Sequence, residues 1–166
     1  SKPEVAAAAL EAGAHAVNDV TAFGHPDMAR VCADADAGAV LMHMKGTPRT
    51  MQDDPTYGDV VGEVGDYLRM RAEAAVAAGV TPDHLCLDPG IGFGKTFDHN
   101  LELLARLDEL VKLGYPLLVG TSRKRFLGTV LGDAGLTTEP ADRDPATAAT
   151  VALAVSAGAA MVRVHD

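Results

Sequence analysis

The sequence repeats one short design five times: a glycine, an apolar run, then a cluster of polar and chemically capable residues. The runs are 14–20, 39–44, 84–88, 116–122 and 159–165, preceded by Gly13, Gly38, Gly79, Gly114 and Gly158. A run apolar on both faces is the pattern of a strand buried in a parallel sheet, and a glycine ahead of it reads as the left-handed stop of the preceding helix. The clusters at the far ends are Asn18-Asp19, His43, Asp88, Ser122-Arg123-Lys124 and Arg163-His165-Asp166. Polar groups gathered at the C-terminal ends of successive parallel strands build the active sites of (β/α) barrels and open α/β sheets. The pattern therefore predicts an enzyme, or part of one.

Helices fill the intervals. A Ser1-Lys2-Pro3-Glu4 capping box opens a helix that runs to residue 12. A shorter helix, 26–35, joins the first two strands. In 57–78 the apolar positions Val60, Val61, Val64, Leu68 and Ala72 recur at helical spacing, with Asp53 or Asp54 as the expected cap. Leu101, Leu104, Leu107 and Val111 repeat the pattern in 100–113, and Asp144-Pro145 opens an alanine-rich helix over 146–157. Segments 45–56 and 128–144 read as long loops on the functional face. Strand alternating with helix specifies parallel strands and right-handed crossovers. A closed (β/α)8 barrel takes roughly 250 residues. Five strands in 166 residues thus predict one domain, residues 1–166, of the α/β class: a (β/α)8 TIM-barrel type, incomplete and lacking its first strands. An open five-stranded sheet is the alternative.

Charge narrows the partners. With 14 Lys and Arg against 23 Asp and Glu, the net charge is −9, which excludes nucleic acid and anionic membranes as expected partners. An anionic ligand then needs a local cationic pocket. Cys32 and Cys86 stand apart without a CxxC pairing and read as buried reduced thiols. Neither a signal peptide nor an apolar span of about 18 residues is present, and the expected setting is soluble and cytoplasmic.

The densest motif is Asp88-Pro89-Gly90-Ile91-Gly92-Phe93-Gly94-Lys95. Gly94-Lys95-Thr96 fits the end of a phosphate loop, but Pro89 stands where its first glycine belongs, and Lys95 stands where a GxGxxG motif needs its third. Neither nucleotide motif is present. The bland alternative is a tight strand-to-helix turn. A buried Asp88 requires partners, and a ring edge with adjacent N–H donors, such as an aminopyrimidinone, suits it. In Gly120-Thr121-Ser122-Arg123-Lys124, one of the cations is expected to point into the site, and Lys124 suits a phosphate or ring oxygen. Ser122 lacks a nucleophile elbow. Arg163 and His165 share a strand face and suit an anion; an exposed edge strand is the alternative. Asn18 falls on the face of Ala14 and Ala16 and can read a ring edge, whereas Asp19 reads as a loop or helix-end residue. His43 faces the helices between Met42 and Met44, a core or supporting histidine. The histidines have no zinc-like spacing, and no residue is assigned to a metal.

Taken together, Val17-Asn18-Asp19-Val20, the stretch from Leu41 to Gln52, Asp88 to Lys95, Gly120 to Gly128 and Arg163-Val164-His165-Asp166 closely resemble the dihydropteroate synthase family, in family order and over essentially the whole chain. The resemblance implies a (β/α)8 barrel that condenses 7,8-dihydropterin-6-ylmethyl diphosphate with 4-aminobenzoate, releasing pyrophosphate with the help of Mg²⁺, and forming a homodimer at full length. Carried over by motif, Asn18 and Asp88 would bind the pterin ring, with Met42 lining that pocket. Lys124 would touch the pterin and border the aminobenzoate site with Ser122, Gly120 and Phe93. Arg163 and His165 would hold the diphosphate. The ligand of Mg²⁺ is expected outside this chain, and the 166 residues alone are expected to be catalytically silent. The rival reading is the pterin-binding domain of a methyltetrahydrofolate-dependent methyltransferase, which has no departing diphosphate for Lys124, Arg163 and His165 to hold.

Overall fold

A computed structural model describes residues 2–166. The elements run α1 (Pro3–Glu11), β1 (Ala16–Asp19), α2 (Met28–Asp34), β2 (Gly38–Met42), α3 (Val60–Ala77), β3 (Leu85–Asp88), α4 (Phe97–Ala105), α5 (Leu107–Val111), β4 (Leu118–Val119), α6 (Arg125–Asp133), α7 (Asp144–Ser156) and β5 (Met161–Val162). Short 3₁₀ turns cover Pro82–His84 and Pro140–Arg143. The expected cap at Ser1 lies outside the described residues.

All five strands are parallel and neighbour one another in chain order. β1, β2 and β3 form one ladder and β4 and β5 another, and a single parallel bridge from Leu87 to Leu117 joins the two. Strand followed by helix, with each strand beside its successor, is the build of a (β/α) barrel, here five strands of it.

The two faces of the sheet differ. Ala39, Leu41, Leu85 and Leu87 point to the helices and join Val64, Leu68 and Ala72 of α3 in the core. Each fully buried leucine contributes about 1.5–3 kcal/mol. On the other face lie Asn18, Val40, Met42 and Asp88, so strand alternation sends the polar strand-end residues to the side away from the helices. Asn18 is exposed there.

Several expectations change. Gly13, Gly79, Gly114 and Gly158 have positive φ, but Gly38 does not; Asp36 (φ 48°) takes the left-handed position before β2. Asp59 caps α3, its side chain accepting the Val61 N–H, so the helix starts later than Asp53 or Asp54 would set it. The 100–113 helix divides at Arg106 into α4 and α5. Within the expected loop 128–144, residues to Asp133 belong to α6, whose Gly128 lies flat against the Arg143 guanidinium. Asp19 is the last residue of β1, fully buried, and accepts hydrogen bonds from Thr21 N–H, Thr21 Oγ1 and Phe23 N–H. A short carboxylate side chain suits this turn, in which Ala22 and Phe23 both have positive φ.

Candidate active site

β3 ends in Asp88, and the chain then turns sharply through the glycine-rich loop to α4. Gly90 has φ +66°, and a Cβ built on it would overlap the His43 carbonyl oxygen; one on Gly94 (φ +62°) would overlap the Lys45 backbone. Glycine at both positions lets the loop press onto the segment leaving β2. Gln52 Nε2 donates to the Gly92 carbonyl (3.0 Å) and Tyr57 OH to the Gly94 carbonyl (2.7 Å), so segment 45–57 straps the loop from outside.

Asp88 is 1% exposed. Its Oδ1 accepts the Gly90 N–H at 2.8 Å, and its Oδ2 accepts from Arg163 Nη2 at 2.9 Å. Burial pushes its carboxyl above the ordinary carboxylate range, while the Gly90 N–H and the Arg163 charge pull it back. Arg163 also donates from Nη1 to Asn18 Oδ1 at 3.2 Å. Asn18 of β1, Asp88 of β3 and Arg163 just after β5 are thereby tied together. Gly120 makes room for this: a Cβ there would sit 3.1 Å from Arg163 Nη2. Met42, the register partner of Asp88, is fully buried beneath Gly90 and supports the floor behind the carboxylate.

A second group adjoins the first. The ladder of β5 ends early, but Arg163 N–H still donates to the Val119 carbonyl. His165 N–H then donates to Ser122 Oγ at 3.2 Å, and that oxygen lies 2.8 Å from His165 Nδ1. Ser122 Oγ thus fixes His165 through both its backbone N–H and its ring nitrogen. Lys124, at the start of α6, lays its ammonium 4.1 Å over the Phe93 ring. Burial lowers the Lys124 pKa; Asp88 raises it and Arg163 lowers it further. Phe93, Gly120, Ser122, Lys124, Arg163 and His165 line one cleft of about 320 Å³. Of the neighbouring cations, Arg123 instead pairs with Asp144 and Asp166.

Two buried polar residues that the sequence does not assign to the site support the loop: Asn100, which no motif marks, and Lys95, the last residue of the glycine-rich motif. Asn100 accepts the Gly92 N–H on Oδ1 (2.7 Å) and donates from Nδ2 to the Thr96 carbonyl. Lys95 is 3% exposed and bonds to His43 Nδ1, the Gly90 carbonyl and the Phe93 carbonyl. His43 faces the helices as expected, edge-on to Tyr67 with ring centroids 5.0 Å apart. Among the described residues no three His, Cys, Asp or Glu side chains come together to hold a metal.

This arrangement has close parallels among known proteins. Residues 1–165 match the family described as pterin binding enzyme. The chain belongs to that family. Dihydropteroate synthase of Synechocystis is 44% identical over 167 residues, covering 100% of this chain and 56% of the relative. The solved dihydropteroate synthase of Thermus thermophilus in complex with 6HMPPP superposes with a TM-score of 0.93 at 47% identity, covering 99% of this chain and 64% of the other. That of Xanthomonas albilineans in complex with 7,8-dihydropteroate gives 0.90 at 42% identity, covering 99% and 58%. The chain thus spans a little over half the length of these relatives, and its five strands are part of their barrel. Among the described residues no helix is long and apolar enough to cross a membrane.

Proposed function

We propose that this chain carries the pterin and diphosphate side of a dihydropteroate synthase site. The observation that carries the reading is the buried Asp88, joined to Arg163 and Asn18 at a cleft that also holds Lys124, Phe93 and His165. A carboxylate offers about four acceptor sites. Two are used within the protein, and the others suit adjacent N–H donors of a reduced pterin ring. Of the five Arg163 N–H donors, two are committed to Asp88 and Asn18; the remainder, with His165 Nε2, suit the diphosphate.

In the reaction, the bond from the pterin methylene carbon to the diphosphate oxygen breaks, and its electron pair leaves with pyrophosphate. The nitrogen of 4-aminobenzoate forms the new bond to that carbon and then loses a proton. Arg163, Lys124 and His165 stabilise charge building on the leaving group, as positioned cations and hydrogen-bond donors do. Phe93 and the Lys124 stem give the amine an apolar wall, so its contribution is orientation rather than activation. The described residues do not by themselves form a magnesium site. The expected assembly at full length is a homodimer.

Calorimetric titration of the gene product at its natural length, with pterin methyl diphosphate against methyltetrahydrofolate, tests the reading. Preference for the diphosphate is expected. Preference for methyltetrahydrofolate would replace the synthase with a methyl-transferring pterin module.

A further inference from the structure

Lys95 has no part in the chemistry above, yet the fold goes to some length to bury it. Long charged side chains are almost never fully buried unless paired, and among the described residues no carboxylate bonds to the Lys95 ammonium. Its Nζ sits instead among three groups: the Gly90 carbonyl at 3.0 Å, the Phe93 carbonyl at 2.9 Å and His43 Nδ1 at 2.9 Å. These are the two ends of the glycine-rich loop and the segment leaving β2. We infer that Lys95 is a positioning residue: it clamps the loop from within and so fixes the Phe93 ring, on which Lys124 rests, for the aminobenzoate half of the reaction.

The inference rests on the synthase reading. Each end of the loop has a different dependence on Lys95. At Gly90, the backbone N–H is held by Asp88, which is anchored in β3 and by Arg163. At Phe93, the carbonyl is held by Lys95 and the N–H by the Gly90 carbonyl, which is itself a Lys95 partner. Removing Lys95 therefore loosens Phe93 more than Asp88.

Three partners also suit both protonation states of the amine. As an ammonium, Lys95 donates to two carbonyls and to an unprotonated Nδ1. As a neutral amine, it donates to the carbonyls and accepts from Nδ1–H. The groups facing it are His43 just after β2, Asp88 at the end of β3 and Lys124 just before α6. Burial, opposed by Asp88 and assisted by Lys124, brings Lys95 down to about 7. His43 is held down to about 3 by burial, then by Lys95, so it stays neutral throughout.

The test compares Lys95→Met with the wild type in the gene product at its natural length. Amide exchange across Gly90–Lys95 is expected to quicken by about tenfold or more in the variant. KM for 4-aminobenzoate is expected to rise by about tenfold, with KM for the pterin diphosphate moving less than about threefold. Unchanged exchange, or an equal fall in both substrates' kcat/KM, overturns the clamp. A wild type without turnover refutes the synthase reading instead, and the exchange result still decides the clamp. Should that variant not fold, Lys95→Gln, whose amide offers two donors for three partners, is measured in its place, with the same results expected and the same results overturning the inference.

Discussion

Replacing Asp88 with asparagine tests the pterin side most sharply, because its size and surroundings leave little room for compensation. The side chain is 1% exposed, with Gly90 N–H on one oxygen at 2.8 Å and Arg163 Nη2 on the other at 2.9 Å. Asparagine keeps one oxygen. If that oxygen stays on the Gly90 N–H, which the loop backbone fixes, the amide NH₂ faces the guanidinium, donor against donor. Arg163 must then turn away, and its contact with Asn18 goes too. A ligand loses two charge-assisted hydrogen bonds, each worth about 1.5–3 kcal/mol. At about 1.4 kcal/mol per tenfold, the lower figure already predicts a Kd for pterin methyl diphosphate weaker by about 100-fold. The assay is isothermal titration of Asp88→Asn against wild type, with urea unfolding as the check on integrity. An affinity within about threefold of wild type for a folded variant would refute the argument.

Three further outcomes are expected. Gly90→Ala forces a Cβ into the His43 carbonyl at a positive φ and is expected to cost more than about 3 kcal/mol in urea unfolding; near-wild-type stability would mean that the loop lies differently. Lys124→Ala is expected to lower kcat/KM with the diphosphate substrate by about 100-fold, on the scale of losing one transition-state donor, and unchanged steady-state kinetics would remove Lys124 from the site. Lys95 has a folded pKa of about 7 against 10.5 for the free side chain, so between these values the unfolded chain holds the extra proton and stability rises with pH. Its contribution is complete above 10.5 and is lost as pH falls through 7. Unfolding at pH 7 to 9 is expected to show a slope of up to about 1.4 kcal/mol per unit, absent in Lys95→Met; equal slopes would contradict it.

The strands are legible because a strand covered on both sides reads as an unbroken apolar run, and parity then places Asn18 and Asp88 on one face. What the sequence hides is set by distant contacts. The apolar spacing of α4 continues into α5, and the break at Arg106 coincides with its guanidinium reaching Asp59, Glu102 and Glu109, of which Asp59 is far away in sequence. The glycines of α6 suggest a loop, yet Gly128 is there so that Arg143 can lie against the helix. At the site, the pairing of Arg163 with Asp88 cannot be read from spacing, since two strand-end residues on one face need not touch. Lys95 is hidden because a lysine after glycines suggests a surface or a phosphate. Its burial depends on two loop carbonyls turning inward, which no local pattern announces. Asp19 resembles a loop residue for the opposite reason: its partners in the turn are local, but the strand buries it.

The measurement that reaches the central claim most directly is pyrophosphate release from 7,8-dihydropterin-6-ylmethyl diphosphate by the gene product at its natural length, with and without 4-aminobenzoate. The account predicts release that requires both substrates and forms 7,8-dihydropteroate in equal amount. A well-folded protein that binds the pterin diphosphate and releases nothing when the amine is added would contradict it.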